Sequence, residues 1–323
     1  MAPNLVAGSA ARRPRPGWMR RILGGGSSFP RYGGGHRPHY RPPPNRGYFP
    51  PVDQRARKAV VLARGLGTRM MRPDKAATLD RHQAAVAAGG LKAMMPVARP
   101  FLDYVLTVIA DAGFEEICLV IGPDRGAMRD YYQQDAKPRR FTLRFAHQEK
   151  PRGTADAVLA AEAFAGADRF LVVNSDTYYP VQALRALHLL GEAGIAAFWK
   201  SALIAQGNLS AERVARFPVV EMDAQGILTR LLEPEDAPAP PAGGDVLVSL
   251  NCWMFTRTIF RACREIAPSR SGELELPEAV RYAVAKLGER MRVVPFREGV
   301  LDLTSRSDVA SVAAGLAGQL VRL

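Results

Sequence analysis

The stretch that most restricts how this chain can fold is Ala59-Val60-Val61-Leu62-Ala63-Arg64-Gly65-Leu66-Gly67-Thr68-Arg69-Met70. A short apolar run with two adjacent β-branched residues fits a buried strand. It runs directly into a glycine-punctuated turn that ends on a hydroxyl and a guanidinium. Glycines let a backbone approach a bulky anion, so that successive N–H groups can face phosphate oxygens. Arg69 adds a rigid fork of donors suited to the same anion. The spacing is not a Walker loop, which ends Gly-Lys-Ser/Thr. It is not a Gly-x-Gly-x-x-Gly dinucleotide loop either, because Met70 stands where the third glycine would be. On its own the stretch is equally compatible with an ordinary strand-to-helix turn.

The pattern around it decides the fold class. Strands are expected at Glu116–Gly122, Phe141–Ala146 and Arg169–Asn174, with helices at Ala76–Ala88, Phe101–Ala112, Gly126–Gln134 and from Thr154 to about Phe164. Strands alternating with helices in this way predict an α/β fold, and ligands of such sheets sit beyond the carboxyl ends of the strands. Both Gly65–Arg69 and Asp176 fall there. The later chain is more mixed. Strands are expected at Ile195–Trp199, Pro218–Met222, Ile227–Leu231, Val246–Phe255 and Arg292–Phe296, with an acidic, Pro-rich loop at Pro234–Gly244. Helices are expected at Thr256–Glu265, Pro277–Leu287 and Asp308–Val321.

Charge separates the body from its N-terminal segment. Residues 1–57 hold 11 of the 44 Lys and Arg and one acidic residue, Asp53, so they carry +10 of the net +13 and the body only +3. This segment is dense in Gly, Pro and Arg, cannot bury enough apolar surface to offset chain entropy, and reads as a disordered tail before a catalytic domain at 58–323. Tyr32, Tyr40 and Tyr48 among its arginines offer weak stacking on single-stranded nucleic acid. The body's modest positive charge suits a small anionic substrate at least as well as a polynucleotide. Cys118, Cys252 and Cys263 are scattered and never form Cys-x-x-Cys, so neither a disulfide framework nor a zinc site is expected. No run of 18 apolar residues predicts a membrane span, and no apolar secretory h-region precedes the body. A cytoplasmic setting is the expectation.

Six motifs then occur in a fixed order: Gly65-Leu66-Gly67-Thr68-Arg69, Lys92–Pro96, Gln148 with Gly153-Thr154-Ala155, Asp176, Asn251 and Asp302. Over residues 58–310 this order resembles the sugar-1-phosphate nucleotidyltransferases, or nucleotide-sugar pyrophosphorylases. The resemblance implies a three-layer, Rossmann-like mixed sheet that is mostly parallel. It implies transfer of a nucleoside monophosphate from a nucleoside triphosphate to a sugar 1-phosphate, with release of pyrophosphate and dependence on Mg²⁺. Arg69, Lys92 and Asp176 would be catalytic. Ala63, Gly65, Gly67, Thr68, Gln148, Gly153 and Thr154 would bind the nucleotide, Asn251 and Glu233 the sugar, and Asp176 with Asp302 the metal. It also allows a homo-oligomer.

Five departures mark this chain. Arg64 replaces a small residue before the first loop glycine, and Leu91 replaces a proline before Lys92. The interval from Arg69 to Lys92 is long. Glu233-Pro234-Glu235 stands where a Glu-Lys-Pro is usual, and Trp253 takes the place of a glycine, where an indole would crowd a hexose. These keep two alternatives open: a catalytically silent nucleotide-binding homologue, and the same chemistry on another phosphorylated acceptor.

Overall fold

A computed structural model describes residues 55–123, 125–239 and 244–323. The expected tail lies outside them apart from residues 55–57, as does part of the Pro-rich loop. The chain enters the fold through β1 (Lys58–Leu62), whose side chains alternate between two cores. Ala59 and Val61 face one, and Val60 and Leu62 the other. A strand apolar on both faces belongs inside a sheet covered on both sides.

A four-residue helix, α1 (Thr68–Met71), follows the glycine loop, then α2 (Arg81–Ala88) and α3 (Phe101–Asp111). α2 starts later than the expected Ala76 because Asp80 and Gln83 form a reciprocal cap: Gln83 N donates to Asp80 Oδ1 at 2.8 Å, and Asp80 N to Gln83 Oε1 at 3.1 Å. Next come β2 (Glu116–Ile121), α4 (Gly126–Asp130) and a wide π-turn over Tyr131–Ala136. The expected single helix over 126–134 is therefore split. Tyr131 and Tyr132 both donate to the buried Asp103 carboxylate, at 2.8 and 2.9 Å. The two adjacent tyrosines thus share one carboxylate from within the π-turn.

β3 (Thr142–His147), α5 (Thr154–Ala160), α6 (Glu162–Ala165) and β4 (Phe170–Asn174) complete the first half. The second half opens with the two-residue β5 (Thr177–Tyr178) and two helices that the sequence pattern does not announce, α7 (Val181–His188) and, after β6 (Ala193–Trp199), α8 (Lys200–Gln206). α9 (Ala211–Val214), the hairpin β7 (Val219–Met222) and β8 (Leu228–Leu232), and the long β9 (Leu247–Phe255) follow. The chain closes with α10 (Thr258–Glu265), α11 (Leu276–Leu287), β10 (Met291–Phe296), β11 (Leu301–Asp302) and α12 (Asp308–Leu316), the last shorter than expected at its C-terminus.

The main sheet runs β10-β6-β9-β4-β1-β2-β3, with the β7–β8 hairpin joined to β9. β3, β2, β1 and β4 are mutually parallel, as are β6 and β10, whereas β9 runs antiparallel between β4 and β6. α3, α7 and α12 supply buried residues to one core and α5, α10 and α11 to the other, giving the three-layer, mostly parallel α/β fold expected. A separate two-stranded ribbon pairs β5 with β11. Among the described residues no helix is long and apolar enough to cross a membrane.

Trp253 corrects an expectation. It is fully buried in the second core, stacks on Phe255 at 5.7 Å between ring centroids, and donates its Nε1 to Asn251 Oδ1 at 3.2 Å. It does not crowd an acceptor site. Trp253→Phe is expected to cost about 1–2 kcal/mol of stability through the lost volume and the lost hydrogen bond. Urea denaturation checks this, and any catalytic turnover should survive the change.

Candidate active site

A cleft of about 410 Å³ opens at the carboxyl ends of β1, β2 and β4, lined among others by Ala63, Gly65, Lys92, Gln148, Thr154 and Asp176. Its floor is set by β1. Ala63 N donates to Val120 O at 2.9 Å, which ends the ladder with β2 and releases the chain into the loop. Gly67 turns that loop with φ +66°, a left-handed conformation in which glycine carries no Cβ penalty. A Cβ there would stand 2.2 Å from Gly90 O, and one on Gly90, also at φ +66°, would stand 2.4 Å from Leu66 O. The loop and the turn after α2 therefore touch backbone to backbone. Arg125, 6% exposed, straps them together by donating to Gly65 O at 3.2 Å and Gly89 O at 3.4 Å. Sequence reasoning missed Arg125. Its signal was position, directly after β2 on the ligand-bearing edge of the sheet.

Lys92 follows at the start of a short 3₁₀ turn, and its Nζ forms an ion pair with Asp176 Oδ2. Asp176 is delivered by β4, with Ser175 N bonded to Leu62 O at 3.2 Å, so the first and fourth strands fix its place together. Thr68 lines the cleft rim, while Arg69 is exposed and is not among the lining residues.

Asp302 does not line the cleft either, but the small ribbon sets it beside Asp176. Thr177 pairs with Asp302, and Leu303 N donates to Asp176 O at 2.8 Å. Asn208 clamps the Asp302 backbone on both sides, accepting from its N–H and donating to its carbonyl, each at 2.8 Å. Arg213 donates to Asp302 Oδ1 at 2.5 Å and to Asp308 Oδ1 at 2.8 Å. Arg306 donates to Met70 O at 2.9 Å, which ties the turn after Asp302 to the end of α1. Burial, and after it the charge of Asp176, push the Asp302 carboxyl up to about 6, with Arg213 acting in the opposite direction. Two carboxylates in such proximity gain from a shared cation. No cluster of three or more His, Cys, Asp or Glu among the described residues could hold a metal by itself. The pair instead suits a hard divalent cation that draws its other ligands from phosphate oxygens and water.

The turn at Gly153-Thr154 lines the same cleft and is held by the segment before α11. Gly153, at φ +112°, is required by the protein's own backbone: a Cβ there would sit 2.4 Å from Leu274 O. Leu274 N donates to Arg152 O at 2.7 Å, and Ala155 N to Leu274 O at 2.9 Å. Thr154 Oγ1 accepts from Leu276 N at 2.9 Å rather than capping α5. Gln148, 4% exposed, spends both Nε2 hydrogens, on Gly153 O at 2.9 Å and Asp156 Oδ2 at 2.8 Å. Its Oε1 is thus the group left to meet a ligand, as an acceptor.

The two residues assigned to the sugar lie outside the cleft lining. Asn251 holds the left-handed conformation at φ +56°, within the irregularity where β9 changes register against β6. Such a conformation in a residue other than glycine is uncommon and clusters at functional positions. Glu233 accepts from Arg281 at 2.8 Å, and Arg281 also binds Glu278.

An α/β sheet that carries a glycine loop, a lysine–aspartate pair and a second aspartate at its carboxyl edge has them where ligands of such sheets bind. Residues 58–302 match the Nucleotidyl transferase family model, and the chain belongs to that family, in its sugar-1-phosphate branch as the motif order implied. It is 25% identical over 261 residues to UTP–glucose-1-phosphate uridylyltransferase of Streptococcus pneumoniae, covering 71% of this chain and 80% of the relative. It is 30% identical over 236 residues to glucose-1-phosphate thymidylyltransferase of Streptomyces antibioticus, covering 70% of this chain and 57% of the relative. The solved structure of a UDP-glucose pyrophosphorylase complexed with UDP-glucose shares the fold, with a TM-score of 0.63 at 18% identity over 82% of this chain and all of the other.

Proposed function

We propose that this chain transfers a nucleoside monophosphate from a nucleoside triphosphate to a sugar 1-phosphate, releasing pyrophosphate. The observation that carries this reading is the Lys92–Asp176 pair at the mouth of the cleft with Asp302 alongside it. The reaction is attack of a phosphate oxygen on the α-phosphorus, with the β,γ-pyrophosphate leaving. Positioning and charge neutralisation are what a protein can contribute to such a step.

In this reading the Gly65–Thr68 backbone cradles the triphosphate. Arg69, exposed beside it, folds over the leaving pyrophosphate. Lys92 moves from Asp176 to the α-phosphate and the incoming phosphate. Asp176 and Asp302 would hold Mg²⁺, which supplies neutralisation of phosphate charge when bound. Ala63 and the Gly153–Thr154 turn frame the base, and Gln148 Oε1 accepts from a base N–H or amino group. The acceptor extends from Asp176 towards Asn251, beside which the buried Tyr179 hydroxyl donates to Leu250 O at 2.5 Å, and Glu233 is the second residue assigned to it.

Pyrophosphate release measured for each nucleoside triphosphate against a set of sugar 1-phosphates, with and without Mg²⁺, tests the proposal. At least one pair is expected to turn over, and excess EDTA is expected to suppress the rate at least about 100-fold. Tight triphosphate binding without turnover by any pair would leave a silent nucleotide-binding homologue instead.

A further inference from the structure

We infer that Arg64 is a polyphosphate-recognition residue, a buried cation whose partner arrives only with the nucleotide. It stands between the end of β1 and the first loop glycine, lines the cleft, and is 9% exposed. Its Nε and Nη1 are buried with no hydrogen-bond partner. A guanidinium carries a permanent charge and only donors, so leaving one buried and unpaired costs far more than leaving a neutral group so.

The neighbouring cations are satisfied. Lys92 holds Asp176, Arg213 holds Asp302 and Asp308, and Arg125 spans the carbonyls of Gly65 and Gly89. A buried ion pair inside the protein would be the ordinary remedy for Arg64, and none is formed among the described residues. A ligand entering the cleft is the complement this arrangement calls for. A carbonyl of a nucleobase would satisfy a hydrogen bond but leave the charge uncompensated, whereas a phosphate oxygen answers both needs in a short, charge-assisted bond. The loop that begins at the next residue is the place where such oxygens would lie. The inference rests on the nucleotide-binding reading above and adds to it a residue that the family's motif lacks.

Stability and affinity should then move in opposite directions. Arg64→Met keeps the length of the side chain and removes the charge. In the ligand-free protein its thermal midpoint is expected to rise, because an unpaired buried charge is lost. Its affinity for inorganic triphosphate, measured by isothermal titration in EDTA, is expected to fall roughly 10- to 100-fold. Uridine serves as the phosphate-free probe, and any affinity for it should be the same in both proteins.

Equal triphosphate affinity in variant and wild type would overturn the inference while leaving the nucleotide reading intact. A loss confined to uridine would overturn it in favour of base recognition. A variant that melts lower than wild type or fails to fold would overturn it too, since Arg64 would then be a structural cation. Wild-type protein that binds neither inorganic triphosphate nor any nucleoside triphosphate would overturn the nucleotide reading and this inference together.

Discussion

Replacing Asp176 by asparagine is expected to slow pyrophosphate release about 1,000-fold, the scale seen when a single charge-stabilising group is removed from a reacting centre. The substitution keeps the size and hydrogen-bonding outline of the side chain at the end of β4, so the sheet and cleft should be undisturbed. What changes is charge. Lys92 loses the counter-ion it holds in the ligand-free protein, and Asp302 loses the like charge that helps to keep its carboxyl high. Triphosphate affinity in the absence of added metal should stay close to wild type, because the glycine loop and the cations around it remain. A stopped assay of pyrophosphate release beside a calorimetric titration separates the two quantities. Turnover within about tenfold of wild type would remove Asp176 from the reacting centre.

The second large effect is expected at Gly67. Gly67→Ala imposes a left-handed conformation on a residue with a Cβ, at about 1–2 kcal/mol, and drives that Cβ into Gly90 O, 2.2 Å away. Neither partner of the clash is a flexible side-chain end, so the glycine loop and the turn after α2 must separate. Arg125, bonded to both segments, would resist or follow. A displacement of about 1 Å at a phosphate-positioning loop is enough to cost roughly 100-fold in kcat/KM. The main sheet lies behind the loop and should retain its far-UV circular dichroism. Normal kcat/KM in Gly67→Ala would show that the loop does not position the substrate.

Much of this architecture was legible because its signals are local. The run Ala59–Leu62 is apolar on both faces, and β2 and β4 read the same way, so the parallel centre of the sheet follows from pattern. β9 was visible as a strand, but its antiparallel placement between β4 and β6 was not, since direction is decided by partners distant in the chain. β5 and β11 have two residues each, too few for any periodicity, yet they bring Asp176 to Asp302. Asn208, Arg213 and Arg125 belong to no motif and act only through tertiary contacts. Trp253 misled because a large residue beside an assigned ligand position was read as facing the ligand, when β9 is covered by a core on both faces. Gly153 was read for close backbone approach, and a neighbour that needs it, Leu274, could not be seen because it comes from a distant segment.

The ribbon of β5 with β11 also sets an order of completion. β1 through β4 lie side by side and precede β5 in the sequence, so this part of the sheet can assemble from a nascent chain before the later segments emerge. Asp302 lies far downstream of them in the sequence, and its companions Asn208, Arg213 and Asp308 also follow β4. A polypeptide released before that point would carry the glycine loop, Lys92 and Asp176 without the second carboxylate. The two carboxylates therefore come together only once β11 has joined β5, a contact between segments far apart in the sequence.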